Sequence, residues 1–359
     1  MDTKSADEIY LDSHKMMYHP IEVGKWMEGE YSYPINVEIG LSGACNHRCV
    51  FCAFEYLEYK PVYLETGNLL RNLSEMQRRG LKSVLYAGFG EPMLHKDAAE
   101  IIHISKTYGI DCALSTNGVG FMPSKQDKCL GDLSWIRFSV ASPTNDTYSR
   151  IHQCRKGDFD KVVENIKYAV WLRNKMGYKT TLGIQMLMLP SNIAEIPLMA
   201  KLGKEIGVDY VSIKPFNQGH KVVKENEVDK KAILELYKEA LSYETYEFHV
   251  FIRKNLMKQH ELQKPKYDKC RMLDFFCMIS ADGSVIPCTV FPGDEDYVYG
   301  NINENSFNEI WSSKKCKEVK HRINYEVFEQ YCRSEDCKMR MQNEFLYKLM
   351  NPHPHVNFV

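Results

Sequence analysis

The chain has 359 residues, 44% hydrophobic and 26% charged, which excludes a disordered or fibrous protein and allows two or three domains or one large α/β barrel with an addition. Its 46 Lys+Arg against 47 Asp+Glu leave a net charge of −1, so no long-range positive field gathers a polyanion, and a general nucleic-acid binder is excluded. No apolar run approaches a membrane span, and the polar start MDTKSADEIY lacks the pattern of a secretion signal, so a cytoplasmic protein without a membrane partner is expected.

Residues 1–34 are polar and aromatic-rich without a period and read as an extension. From residue 35 a rhythm begins. INVEIGL (35–41) reads as a strand, ETGNLLRNLSEMQRRG (65–80) as a helix stopped by Gly80, and LKSVLYAG (81–88) as a strand. DAAEIIHISKTYG is a helix, IDCALSTNG a strand, and a short helix near 123–131 precedes the strand LSWIRFSVAS (133–142). Residues 158–177 form a strong helix with Val162, Val163, Ile166, Ala169 and Val170 on its apolar face, capped by Asp158 and ended by Gly177. A strand at 178–189, a helix at 192–207 and a strand at 208–216 complete six strand–helix alternations. Such alternation builds a parallel sheet with helices outside, and six units predict an α/β fold of the partial (βα)6, TIM-like barrel kind. Its ligands belong in the loops at the carboxyl ends of the strands. After residue 217 the rhythm stops. A charged helix (226–243), a hairpin FFCMISADGSVIPC (275–288) and a helix (307–322) follow. The expected division is an extension at 1–34, a barrel at 35–220 and a small α+β domain at 221–359.

In a reducing compartment twelve cysteines point to metal or redox chemistry. The loop after strand one, GACNHRCVFCAF, carries Cys45, Cys49 and Cys52 as CxxxCxxC, with Phe51 before the third. Three thiolates in eight residues can wrap one face of a cubane cluster and leave one iron open to a ligand. Zinc, with His47 as a fourth donor, is the alternative. This CxxxCxΦC loop in a βα array resembles the signature of the radical S-adenosylmethionine (SAM) enzymes, whose core is a partial (βα)6 barrel. The resemblance implies that Cys45, Cys49 and Cys52 hold a [4Fe-4S] cluster that binds the amino and carboxylate groups of SAM. It further implies a flavodoxin- or ferredoxin-type electron donor, reductive cleavage of SAM to a 5′-deoxyadenosyl radical, and abstraction of a substrate hydrogen atom. AGFGEP, after strand two, is similar to the family's GGEP segment, with Phe89 between the glycines. Gly88 and Gly90 would let main chain approach the SAM amino group and Glu91 would complement its charge. Ser115 and Asn117, in STNG after strand three, and Ser139, at the end of strand four, are expected to meet the ribose or carboxylate. A plain polar turn is the alternative for STNG.

Cys270, Cys288, Cys332 and Cys337 resemble the shortened SPASM, or twitch, domain of the same family, which implies one auxiliary [4Fe-4S] cluster. Cys316 is an alternative ligand, and zinc an alternative metal. Cys277, on the hairpin between two of these ligands, is expected to face the barrel mouth, where its thiol would be catalytic as a hydrogen-atom donor. Core packing is the other reading. KPFNQGH (214–220) resembles, loosely, segments of family members acting on aminoglycosides and polysaccharides. The expected function is therefore epimerisation or oxidation of a sugar or cyclitol. A peptide-modifying maturase is the alternative, although the segment before strand one is shorter than the leader-binding domain many maturases carry. A non-enzymatic iron–sulfur carrier is a second alternative, against which GFGEP counts.

Overall fold

The computed structural model describes residues 14–30, 32–215, 230–252, 265–332 and 337–358. After a first helix, α1 (Pro20–Met27), seven strands follow in chain order: β1 (Asn36–Ile39), β2 (Ser83–Tyr86), β3 (Asp111–Thr116), β4 (Leu133–Ser139), β5 (Thr181–Met188), β6 (Tyr210–Pro215) and β7 (His249–Ile252). Each pairs in parallel with the next. Between them run α2 (Thr66–Arg78), α3 (Ala98–Thr107), α4 (Pro123–Cys129), α5 (Asn145–His152), α6 (Asp158–Met176), α7 (Ile196–Ile206) and α8 (Lys230–Leu241).

Alternation along the strands sorts their side chains. Val37, Ile39, Val84, Tyr86, Leu114, Ile136, Phe138, Ile184 and Val211 are buried together with the apolar faces of the helices in one continuous core. The intervening positions turn to the concave side, and many are polar: Glu38, Ser115, Arg137, Ser139, Gln185, Ser212 and Lys214. A lumen lined this way is built to hold a ligand rather than to be filled by branched aliphatics.

The last third of the chain joins the same sheet. Strand β8 (Phe276–Ile279) lies parallel to β1, in the register Val37↔Cys277. Strands β9 (Ser284–Ile286) and β10 (Gly300–Asn301) continue antiparallel from it. The described strands thus form one open ten-stranded sheet whose edges are β10 and β7. Helices α9 (Phe307–Ser312), α10 (Lys314–Tyr325) and α11 (Arg340–Met350) complete the C-terminal part. The first of them starts on a Ser306–Glu309 capping box, and its Phe307 amide donates to Asn72 Oδ1 of α2 at 2.6 Å.

Two expectations change. The strand–helix alternation runs one unit beyond residue 217, through α8 and β7. A four-residue strand at the sheet edge carries too little pattern to be read from sequence. The hairpin also does not stand apart from the barrel, because its first strand extends the barrel sheet past β1. The residues Phe216–His220 of KPFNQGH lie outside the described residues.

Candidate metal and cofactor site

The first cysteine loop is fastened at both ends. The Glu91 amide donates to Ala44 O (2.8 Å), joining it to the loop after β2. On the other side the amides of Arg48 and Val50 donate to His152 O (3.0 Å) and Ile151 O (2.9 Å), the last turn of α5. The Arg48 guanidinium closes the loop on itself, donating to Cys45 O (2.7 Å) and His47 O (2.8 Å). Phe51 packs against Ala141, Ile151 and Leu189 and meets the His152 ring edge-on at 5.5 Å. These contacts anchor the loop. Cys45, Cys49 and Cys52 are all half-buried. Burial, then the neighbouring Glu91, push the Cys45 thiol up to about 12. Burial, then Cys45 and Cys52, push Cys49 up. Thiols raised in this way give up their protons only to a cationic centre, so the donor set fits an iron–sulfur cluster. Behind the loop, donor atoms of His47, Cys154 and Asp158 lie within 4.8 Å of one another, with His47 3.4 Å from the Asp158 carboxylate.

The GFGEP loop abuts this one. Gly90 has a φ of +84°, and a Cβ there would lie 2.3 Å from Ser42 O and 2.5 Å from Ala44 O, so only glycine allows the approach. Gly88 also has a positive φ, 98°, and sits over Gly40. Glu91 does not do what the sequence suggests. Its carboxylate is 2% exposed and accepts from Thr116 Oγ1 (2.5 Å), Met93 N (3.0 Å) and Asn117 N (2.7 Å). Burial pushes its carboxyl up while these donors act to hold it down. It bolts the loops after β2 and β3 together and is not open to a SAM ammonium. Asn117 is likewise used internally. Its Nδ2 donates to Asn46 Oδ1 (2.7 Å) in the cysteine loop, and its Oδ1 accepts from Val119 N (3.0 Å). Ser115 and Ser139 do face the lumen. Arg137, not singled out from the sequence, lies between them in the alternation and reaches Ser115 Oγ at 3.5 Å. The spacing of Trp135, Arg137 and Ser139 at alternate positions of β4 was the available signal.

The four C-terminal cysteines converge. Cys270, Cys288, Cys332 and Cys337 line one cavity of about 420 Å³, although they come from three separate stretches of chain. Burial pushes all four thiols up, Cys270 to about 12, and neighbouring thiols add to this for Cys270, Cys288 and Cys332. Asn343 ties the Cys270 segment to α11, accepting from Arg271 N (2.7 Å) and Met272 N (3.2 Å) and donating to Cys270 Sγ (3.5 Å). A ring of four sulfurs fits a four-iron cluster or another thiophilic metal. The same cavity is walled by Phe54, Tyr56, Phe276 and Phe291, with Lys214 and Lys338 among its polar groups. Phe89 is central. It meets Phe54 edge-on at 4.6 Å and shares an apolar cluster with Phe276, Met278, Cys270 and Cys288, so it links the two cysteine sets.

Cys277 and Cys316 are elsewhere. On β8 it is Phe276 and Met278 that join the cluster around Phe89, while Cys277 and Ile279 point into the layer beneath the C-terminal helices. Cys277 is 0% exposed, beside Cys316 and Tyr299. The alternation of the strand therefore carries the Cys277 thiol away from the barrel mouth, and the hydrogen-donor expectation is corrected. Cys316 is buried in the same layer and does not line the cavity.

Comparison with known proteins agrees with this architecture. Residues 39–203 match the radical SAM superfamily, and residues 270–338 match the SPASM iron–sulfur cluster-binding domain. The chain is 23% identical over 298 residues to the tungsten-containing aldehyde ferredoxin oxidoreductase cofactor-modifying protein of Pyrococcus furiosus, covering 77% of this chain and 80% of that protein. It is 32% identical over 136 residues to a probable GTP 3′,8-cyclase of Saccharolobus solfataricus, covering 38% of this chain and 43% of that protein. Streptococcus suis SuiB, in a crystal structure with the precursor peptide SuiA, shares the fold at a TM-score of 0.65 and 16% identity, over 86% of this chain and 71% of SuiB. No helix among the described residues is long and apolar enough to cross a membrane. The matched barrel and the matched cysteine-rich domain behind it place this chain in the radical SAM superfamily, as an enzyme with a C-terminal SPASM domain that uses SAM and [4Fe-4S] clusters.

Proposed function

We propose that the chain is a dehydrogenase-type radical SAM enzyme that oxidises an alcohol carbon of a sugar or cyclitol, nucleotide-linked, in aminoglycoside- or polysaccharide-type biosynthesis. In this reading Cys45, Cys49 and Cys52 hold the SAM-binding cluster, and Cys270, Cys288, Cys332 and Cys337 hold one auxiliary cluster. When bound, these groups would supply one-electron cleavage of SAM to a hydrogen-abstracting radical and an acceptor for the electron left behind. A flavodoxin- or ferredoxin-type protein delivers the first electron.

The chain's own residues do the rest. Gly88 and Gly90 let the loop after β2 close against Gly40 and the cysteine loop, which brings its main chain to the amino-acid end of SAM. Ser115 and Ser139 offer hydroxyls to it from the lumen. Phe54, Phe89 and Phe276 keep water from the path between the two cysteine sets. Lys214 and Lys338 attract an anionic substituent on the substrate, and the aromatic wall receives the sugar face. The proton released on oxidation passes to solvent.

The observation that carries the reading is the cavity itself. All four C-terminal cysteines share its lining with Lys214 of β6 and with Phe54, two residues past Cys52, so an electron acceptor held by them would adjoin the lumen. With Cys277 facing away, no thiol of the hairpin is placed to return a hydrogen atom, which favours oxidation over epimerisation. A peptide-modifying reading has one observation behind it, the fold shared with SuiB over most of this chain. The test is anaerobic turnover with SAM and dithionite against nucleotide-sugar, cyclitol and peptide fractions. A small-molecule product lighter by two hydrogens supports the proposal. The same loss in a peptide alone overturns the substrate class, and an inverted product carrying solvent deuterium overturns the oxidation.

A further inference from the structure

His152 ends α5, far in sequence from the first cysteine loop, yet its ring is pressed against it. The ring is buried, and Tyr148, His47 and Phe51 surround it with centroids at 4.2, 5.3 and 5.5 Å. Its Nε2 faces the main-chain amide of Ala141, just past the end of β4, at 3.0 Å. Its Nδ1 faces Cys49 Sγ at 3.1 Å. An amide N–H can only donate, so Nε2 must offer its lone pair. The neutral imidazole then carries its hydrogen on Nδ1, and that hydrogen points at the sulfur. The tautomer is set by the backbone amide of Ala141. The main chain reinforces the placement, because the carbonyls of Ile151 and His152 accept from Val50 and Arg48 on either side of Cys49.

We propose that His152 is a positioning residue for the SAM-binding cluster, donating a permanent Nδ1–H···S hydrogen bond to the Cys49 thiolate and so raising the cluster's reduction potential. This rests on the reading that Cys49 is a cluster ligand. A donor to a ligand sulfur favours the more negative, reduced state, and such bonds are among the levers that set iron–sulfur potentials. Cys45 receives only a longer contact, from the His47 amide at 3.5 Å. Cys52 is met by the Tyr59 hydroxyl, so the three sulfurs have different donors, and the one facing Cys49 is an imidazole held by α5.

The test uses the whole reconstituted protein and follows, by electron paramagnetic resonance, the reduced signal that changes on adding SAM. His152→Leu removes the donor, and His152→Asn returns an N–H near the Nδ1 position. With iron content retained, His152→Leu is expected to shift the one-electron equilibrium about tenfold toward the oxidised cluster, a fall of 59 mV, and His152→Asn to recover most of it. A potential unchanged in His152→Leu overturns the proposal. If His152→Leu loses the SAM-responsive cluster, His152→Asn decides: iron held at the wild-type potential supports the hydrogen bond, and loss in both variants overturns it in favour of ring packing alone. Cys49→Ala separates the underlying reading. If that variant keeps the SAM-responsive signal, Cys49 is not a ligand and the reading itself fails, whatever His152 does.

Discussion

The two cysteine sets are held in opposite ways. Cys45, Cys49 and Cys52 share one short loop, and their spacing brings them together before any tertiary contact forms. Cys270, Cys288, Cys332 and Cys337 are brought together only by the hairpin, the turn before it and the segment ahead of α11. The first set is a local motif braced by the fold, whereas the second is a product of the fold. The first should therefore tolerate loss of its metal with little change elsewhere, and the second should not.

The comparison breaks most sharply at the first loop. Cys45/Cys49/Cys52→Ala is expected to abolish SAM cleavage while retaining about four of about eight irons. Iron analysis together with 5′-deoxyadenosine release checks this, and stoichiometric zinc in the wild type would refute an auxiliary iron cluster. Glu91→Ala comes next. Removing the buried carboxylate orphans the Thr116 hydroxyl and the Met93 and Asn117 amides, at roughly 1–3 kcal/mol each. A lowered Tm together with loss of iron is expected, and a variant with normal Tm and iron but weak SAM binding would restore Glu91 to the ligand. Cys277→Ala should cost about 1 kcal/mol, as a small core truncation, and leave product formation intact. A variant that makes 5′-deoxyadenosine without product would reinstate the thiol. The smallest effect is expected for Cys316→Ala, whose iron content should equal that of the wild type.

Much of the barrel is legible in the sequence because each of its strands alternates with an amphipathic helix, and the CxxxCxxC loop is legible because it is contiguous. What escaped has physical reasons. Every residue of β8 is buried, so FCMI contains no polar position to say which face carries Cys277. Glu91 reads as a ligand because a carboxylate is assumed exposed, and nothing nearby in the chain announces the three donors that enclose it. His152 and Cys49 are 103 positions apart, and only the docking of α5 on the loop makes them neighbours. The polar lumen positions were visible as alternation in WIRFS but were outweighed by the apolar signal beside them.

The pairing of β1 with β8 has a consequence for the order of events during synthesis. Asn36 finds Phe276 only after about 240 further residues have been made, which at ribosomal rates is on the order of ten to fifty seconds. For that interval β1 has an open edge on the side away from β2, although the loop that follows it already has its partners in Glu91 and α5. The nascent barrel is thus a solvent-facing, unpaired template carrying three reduced thiols. That edge is covered only when the hairpin arrives and Phe276 and Met278 pack in one cluster with Phe89.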